Sequence, residues 1–192
     1  PTQKAIFGFG STGSNVSITN LVNSSGVVGS DVTGVGTGRV SLAATSYGDD
    51  KAIFGFGNHS SAVHSTTNLV SSSGVVATDT TGVGTVRSNV AAATYGLSGQ
   101  ALFGYGTAAD AFLSMTNLVS NSGVVASDVS GVGTGRSGLA ATSYGSGRSI
   151  FGYGYTGSNV SVTNLVSNTG VVASDVTGVG TARRNLAAAS YD

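Results

Sequence analysis

Histidine is the natural starting point for acid–base or metal chemistry, and the chain carries two, His59 and His64, five residues apart. Zinc needs at least three protein ligands, and the neighbouring Asn58 and Ser60 are poor ones, so the pair reads as two partly exposed imidazoles. Ser and Thr together supply 52 hydroxyls, yet only those two imidazoles exist to activate them, and no nucleophile–base–acid constellation is implied. Glu is absent and Asp occurs eight times. Glycoside hydrolysis would need two carboxylates facing one cleft, whereas four of these Asp residues recur at fixed points of a repeat and read as turn partners. No catalytic residue, metal site or cofactor is expected.

The recurring polar residues are more informative. Asp31, Asp79, Asp128 and Asp175 each stand eight residues before Arg39, Arg87, Arg136 and Arg183, and Asn20, Asn68, Asn117 and Asn164 precede them in the same order. Gly-Val-Gly-Thr lies between each Asp and its Arg. Two kinds of chemistry fit this spacing. In the first, Asp bonds backbone amides of the turn while Arg anchors the crossing of the chain and pairs with Asp. In the second, the four Arg side chains converge near one mouth of a channel and hold an anion. Residues that recur at every equivalent position usually serve the repeat itself, which favours the first.

Two further sets have binding chemistry. Asn15, Asn58 and Asn159 head N-glycosylation sequons in equivalent loops, and Asn23 heads another. Tyr105, Phe112, Tyr153 and Tyr155 lie toward loop tips, where aromatic rings could stack on sugar rings. Asp49-Asp50-Lys51 reads as a solvated hairpin tip.

The elements that position these residues follow from the repeat. Successive Asn anchors are 47 to 49 residues apart, a period typical of solenoids, propellers and repeat arrays. Each unit divides into four short runs rich in β-branched, aromatic and small residues. The first is Leu42-Ala43-Ala44-Thr45-Ser46-Tyr47, with counterparts at 90–95, 139–144 and 186–191. The second is Ala5-Ile6-Phe7-Gly8-Phe9-Gly10, repeated at 52–57, 101–106 and 149–154. Alternation places Phe7 and Phe9 on one face and Ile6 on the other. The third run spans 16–22, 64–70, 113–119 and 160–166, and the fourth centres on Val27-Val28 and its equivalents. Loops of hairpin length join the first run to the second.

Four strands per unit predict propeller blades. The order of Arg39, Leu42-Ala43-Ala44, Ala52-Ile53-Phe54-Gly55-Phe56-Gly57, Thr66-Thr67-Asn68-Leu69-Val70 and Arg87 resembles a kelch or galactose-oxidase type propeller repeat, and the likeness covers all four units. The glycine doublet is split as Gly-Phe-Gly or Gly-Tyr-Gly, and the fourth-strand Trp is missing. The units are also similar to Gly/Thr/Val-rich repeats of phage and environmental viral proteins, a likeness that implies no established activity. The expected fold is all-β: one domain over 1–192, a four-bladed β-propeller of four-stranded antiparallel blades. The chain starts on a second strand and stops on a first strand, so the ring is expected to be cut in a hairpin loop and closed by pairing of the terminal strands.

Composition narrows the partners. Formal net charge is zero with 8% charged residues, which argues against a nucleic acid, whose binding draws on clustered Lys and Arg. No apolar run approaches the ~18 residues of a membrane span, and the absence of cysteine excludes disulfides and thiolate metal sites. A Ser/Thr-rich, nearly uncharged surface on a repeat fold suggests a non-enzymatic structural or assembly module of a virion, fibre or cell surface, placed outside the cell or on a virion, with a protein or glycan surface as partner and a tendency to self-associate. The alternative is a lectin-like propeller that binds carbohydrate through the loop-face aromatics.

Overall fold

The computed structural model describes residues 4–191. Their regular structure is entirely β, in small antiparallel sheets. The first sheet has two strands, β1 (Ala5–Gly8) and β2 (Thr19–Val22). The second contains β3 (Ala43–Tyr47), β4 (Lys51–Gly55) and, beyond the small hairpin of β5 (Asn58–His59) and β6 (Ala62–Val63), β7 (Thr67–Val70). The third repeats this with β8 (Ala91–Tyr95), β9 (Gln100–Gly104), the hairpin β10 (Thr107–Ala108) and β11 (Ala111–Phe112), and β12 (Thr116–Val119). In the fourth, the hairpin merges with the main strands to give β13 (Ala140–Tyr144), β14 (Arg148–Tyr155) and β15 (Asn159–Val166). The second run is central in each complete sheet, with Ala43 opposite Gly55 and Gly55 opposite Thr67.

The units expected to form four-stranded blades form sheets of three strands, or of two in the first unit. The Val-Val run touches the third strand only at isolated bridges, such as Val70 with Val76 and Thr67 with Thr80. Val76, Val125 and Val172 pack on the neighbouring cores, but Val75, Val124 and Val171 beside them are exposed, so the run is held at single points and forms no full ladder.

A second difference concerns the aromatic pair. Phe56 has φ +64°, with Phe9, Tyr105 and Tyr153 alike at +65°, +63° and +62°. A bulky residue in that region costs about 1–3 kcal/mol unless its surroundings hold it there. In the fourth sheet the strand register slips at this point, between Gly152 and Gly154, as at a β-bulge. The kink reverses the second aromatic. Phe54 packs back on Phe9 of the preceding sheet, at 5.1 Å between ring centroids, while Phe56 packs forward on Phe103 of the next, also at 5.1 Å. One strand thereby supplies rings to both of its neighbours.

The cores lie between sheets. Phe9, Phe54 and Val70 fill the space between the first and second. Tyr47, Ile53, Phe56 and Phe103 are central between the second and third, and Tyr95, Leu102, Tyr105 and Phe151 between the third and fourth. Glycine allows the close approach: a Cβ on Gly55 would stand 2.7 Å from Phe103 Cζ.

The closure expected from pairing of the terminal strands is not formed among the described residues. β1 pairs with β2 alone, and residues 186–191 form no strand. Phe7, on the outer face of the first sheet, is 63% exposed and Tyr191 is 96% exposed. Cores join first to second, second to third and third to fourth sheets, and none joins fourth to first. Of the loop expected to close the ring, residues 1–3 and 192 lie outside the described residues.

Candidate functional site

The chemistry-bearing residues gather at the junctions between sheets. At the central junction the Arg87 side chain is wholly buried. Its guanidinium lies 4.3 Å from the ring centroid of Phe56 in the second sheet and inserts its donors into the third. Nε donates to Tyr105 O at 2.9 Å, Nη1 to Thr85 O at 3.0 Å, and Nη2 to Asn117 Oδ1. Asp128 Oδ1 stands 3.5 Å from Nη1. Asn117 is oriented by its own amide, which donates to Ala126 O and to Asp128 Oδ1. Thr85 completes the set by donating its N–H and hydroxyl to Asp128 Oδ2, at 2.9 and 2.7 Å.

This arrangement explains the strained aromatic. Turning Tyr105 to positive φ presents its carbonyl to Arg87 Nε, so charge-assisted bonds and the cation–π contact offset the cost of the conformation. The same junction forms around Arg39, which bonds Phe56 O at 3.0 Å and Asn68 Oδ1 at 2.6 Å over the Phe9 ring. It forms again around Arg136, with Tyr153 O at 2.8 Å and Asn164 Oδ1 at 2.6 Å over the Tyr105 ring.

Electrostatics match the geometry. Burial lowers the Arg87 pKa to about 10, with the Asp128 charge opposing the fall, so the group is a cation at neutral pH. Burial acts to raise the Asp128 carboxyl, but bonds from Thr85 and Asn117 and the Arg87 charge outweigh it and hold the group below its ordinary value. Asp79 and Asp175 are depressed in the same way. Burial pushes Tyr105 up to about 12 against the pull of Arg136.

Asp and Arg do pair, but not across the eight-residue link. Arg39 meets Asp79, Arg87 meets Asp128 and Arg136 meets Asp175, so every pair joins the loop before a sheet to that sheet's far edge. The four arginines considered for an anion are not gathered at one mouth. Arg39, Arg87 and Arg136 are sealed in separate junctions, and Arg183 lies exposed over the Tyr153 ring, donating only to Thr181 O among the described residues.

Among the four aromatics considered for sugar, Tyr105 is wholly buried between Phe151 and Arg136. Tyr153 is half-buried under Arg183. Phe112 and Tyr155 are half-buried and meet edge to face at 5.7 Å, with Arg184 over Tyr155. Of the sequon asparagines, Asn23 and Asn159 are exposed, while Asn15 and Asn58 are half-buried, with the Asn15 amide donating to Asn58 O. His59 and His64 stand 6.3 Å apart edge to face, and His59 Nδ1 lies 2.7 Å from Gly38 O. Lys51 bonds Asp50 at an exposed hairpin tip. Among the described residues no cluster of three His, Cys, Asp or Glu could hold a metal, and no helix is long and apolar enough to cross a membrane.

Sequence reasoning passed over Asn68, Asn117 and Asn164 and the Gly-Val-Gly-Thr threonines as site residues. Their signal was present in the fourfold Thr-Asn-Leu-Val and in the fixed Thr two residues before each Arg. Neither a scan of known protein-family models nor a search of curated proteins gives a match to this chain.

Proposed function

We propose that this chain is a non-enzymatic structural or assembly module of a virion, fibre or cell surface. The observation that carries this reading is the use of the recurrent polar residues. Arg, Asn, Asp and Thr, which elsewhere would make a binding or reacting site, are consumed in joining one sheet to the next. The repeat is a device for adding sheets. The arrangement that fits best is a row of sheets open at both ends. A closed four-bladed, kelch-like ring of the same units would require Arg183 to reach Asn20 and Asp31, and its bonds do not extend there. The Ser/Thr-rich surface of zero net charge gives little repulsion between molecules, which suits an exterior, self-associating material.

A second reading, carbohydrate binding, draws support from the half-buried Phe112–Tyr155 pair beneath Arg184. A glycan array separates the two. The assembly reading expects no saturable sugar preference, and a saturable signal lost in Tyr155→Ala would replace it with the second.

A further inference from the structure

We infer that a second copy of this chain fills the open face of the first sheet, so that chains add head to tail through a fourth junction identical to the three inside each molecule. The inference rests on the assembly reading and names its partner and its chemistry.

Each internal junction has two halves. The preceding side contributes Thr, Arg and the forward-facing aromatic; the following side contributes Asn, Asp, a backward-facing Phe and a backbone carbonyl. The exposed end of the fourth sheet carries the first half complete. Tyr153 holds positive φ, and Arg183 stands 4.2 Å above its ring, as Arg87 stands over Phe56. Of the three acceptors that its counterparts hold, Arg183 has only the Thr carbonyl, Thr181 O, among the described residues. The first sheet carries the second half complete. The Asn20 amide donates to Gly29 O at 3.1 Å and to Asp31 Oδ1 at 2.9 Å, matching 3.1 and 2.8 Å for Asn68 with Ala77 O and Asp79 Oδ1. The Asn20 side-chain oxygen is thus already aimed as Asn68's is, with no arginine on it among the described residues.

Shape agrees with charge. A Cβ on Gly55 or Gly104 would collide with the Phe of the next sheet, at 2.7 Å in both cases, whereas one on Gly152 would meet only Thr163. The Phe that covers the equivalent glycine elsewhere has its counterpart in Phe7, which the first sheet presents to solvent. Gly36, Gly84 and Gly133 are each covered by an Asn and an Asp of the following sheet, while beside Gly180 only the Tyr153 hydroxyl approaches, at 3.7 Å.

The backbone completes the match. The first sheet has no first strand among the described residues, and residues 186–191, which match the first run in sequence, pair with no sheet. The register of β3 on β4, carried over to them, sets Ala187 opposite Gly8, Ala188 opposite Phe7, Ala189 opposite Ile6 and Ser190 opposite Ala5. The tail of one chain becomes the missing strand of the next, a β-augmentation that also covers an open edge. Because the two faces differ and lie at opposite ends of the row, the contact is heterologous and propagates.

The test is sedimentation velocity on the 192-residue chain over a concentration series, with Phe7→Asp blocking the head and Arg183→Glu blocking the tail. The wild-type mass should rise without limit as concentration rises. Each variant alone should raise the assembly midpoint by about 30-fold or more, the loss expected for a hot-spot side chain. An equimolar mixture of the two should stop at the dimer, since one live head meets one live tail. Both positions are exposed, so unchanged thermal melting of the variants certifies their fold. A wild-type monomer at every concentration overturns the inference, whether the tail folds back on its own first sheet or these faces serve only covalently joined repeats. Assembly equal to wild type in both variants also overturns it while leaving the assembly reading intact. A monomer with saturable glycan binding overturns both.

Discussion

The junction around Arg87 and the surface around Arg183 are built from the same residue types at the same spacing, and their surroundings differ completely. Arg87 is sealed, with three acceptors and a carboxylate; Arg183 lies in the open with one. The equivalent rings differ in parallel, Phe103 being fully buried where Phe7 is 63% exposed. A unit of this protein therefore does not own its core. Each sheet is complete only when the next one arrives, as in repeat proteins whose stability is a sum of intrinsic and nearest-neighbour terms. Polar residues deepen that dependence, because an arginine that anchors on the following sheet cannot be satisfied by its own.

Equivalent side chains removed from the two places should have very different effects. Phe103→Ala should lower the free energy of unfolding by about 4 kcal/mol, the usual cost of deleting a buried ring, while Phe7→Ala in dilute protein should change it by under about 0.5 kcal/mol. Urea unfolding of both reads the contrast. Equal effects would mean that the first sheet is covered in solution.

Arg87→Ala comes next, with a loss of about 3 kcal/mol, since Tyr105 O, Asn117 Oδ1 and Asp128 lose their cation together. Arg183→Ala at the same dilution should be nearly silent in the same denaturation experiment. Asp128→Ala should cost about 1–2 kcal/mol against almost nothing for Asp31→Ala, because Thr85 and Asn117 lose a partner in one case and only Asn20 does in the other.

The smallest effect is in the pH profile. Asp79, Asp128 and Asp175 have folded pKa values below their ordinary one. A depressed carboxyl contributes stability that is full above its unfolded pKa, about 4, and is lost as pH falls through the folded value. Thermal midpoints should be level from neutral pH to about pH 5 and fall below about pH 4. Asp128→Asn should flatten that acid limb, and an unaltered limb would show that Asp128 does not carry its share.

Much of this was legible in the residues. Period, strand order and hairpin loops followed from the spacing of Ala-Ile-Phe-Gly-Phe and Leu-Ala-Ala-Thr-Ser-Tyr, and the all-β class from β-branched and aromatic enrichment. The structural role of Arg and Asp was readable from their recurrence. Their partners were not, because the pairing of Arg39 with Asp79 crosses 40 residues and depends on sheets stacking in one direction. The opposite aims of Phe54 and Phe56 were hidden by a backbone kink at a residue type that rarely adopts positive φ. The fourth run looked like a strand by composition, but composition does not reveal that in the later units only one valine of each pair, Val76, Val125 or Val172, packs on a core while the other faces solvent. Closure seemed to follow from terminal runs of compatible length. Length, however, measures whether a loop can be joined, and not whether the first and fourth sheets face one another.

That the fourth junction stays open within one molecule and is filled by another can be read from hydrogen exchange, as a function of protein concentration, of the amides of residues 186–191 and of those amides of Ala5–Gly8 that pairing with β2 leaves free. Both sets of amides should exchange fast when the protein is dilute, with protection appearing in both together as concentration rises. Protection already full at the lowest concentration would contradict it in favour of a ring closed within the chain, and assembly without protection of either segment would contradict it in favour of another surface.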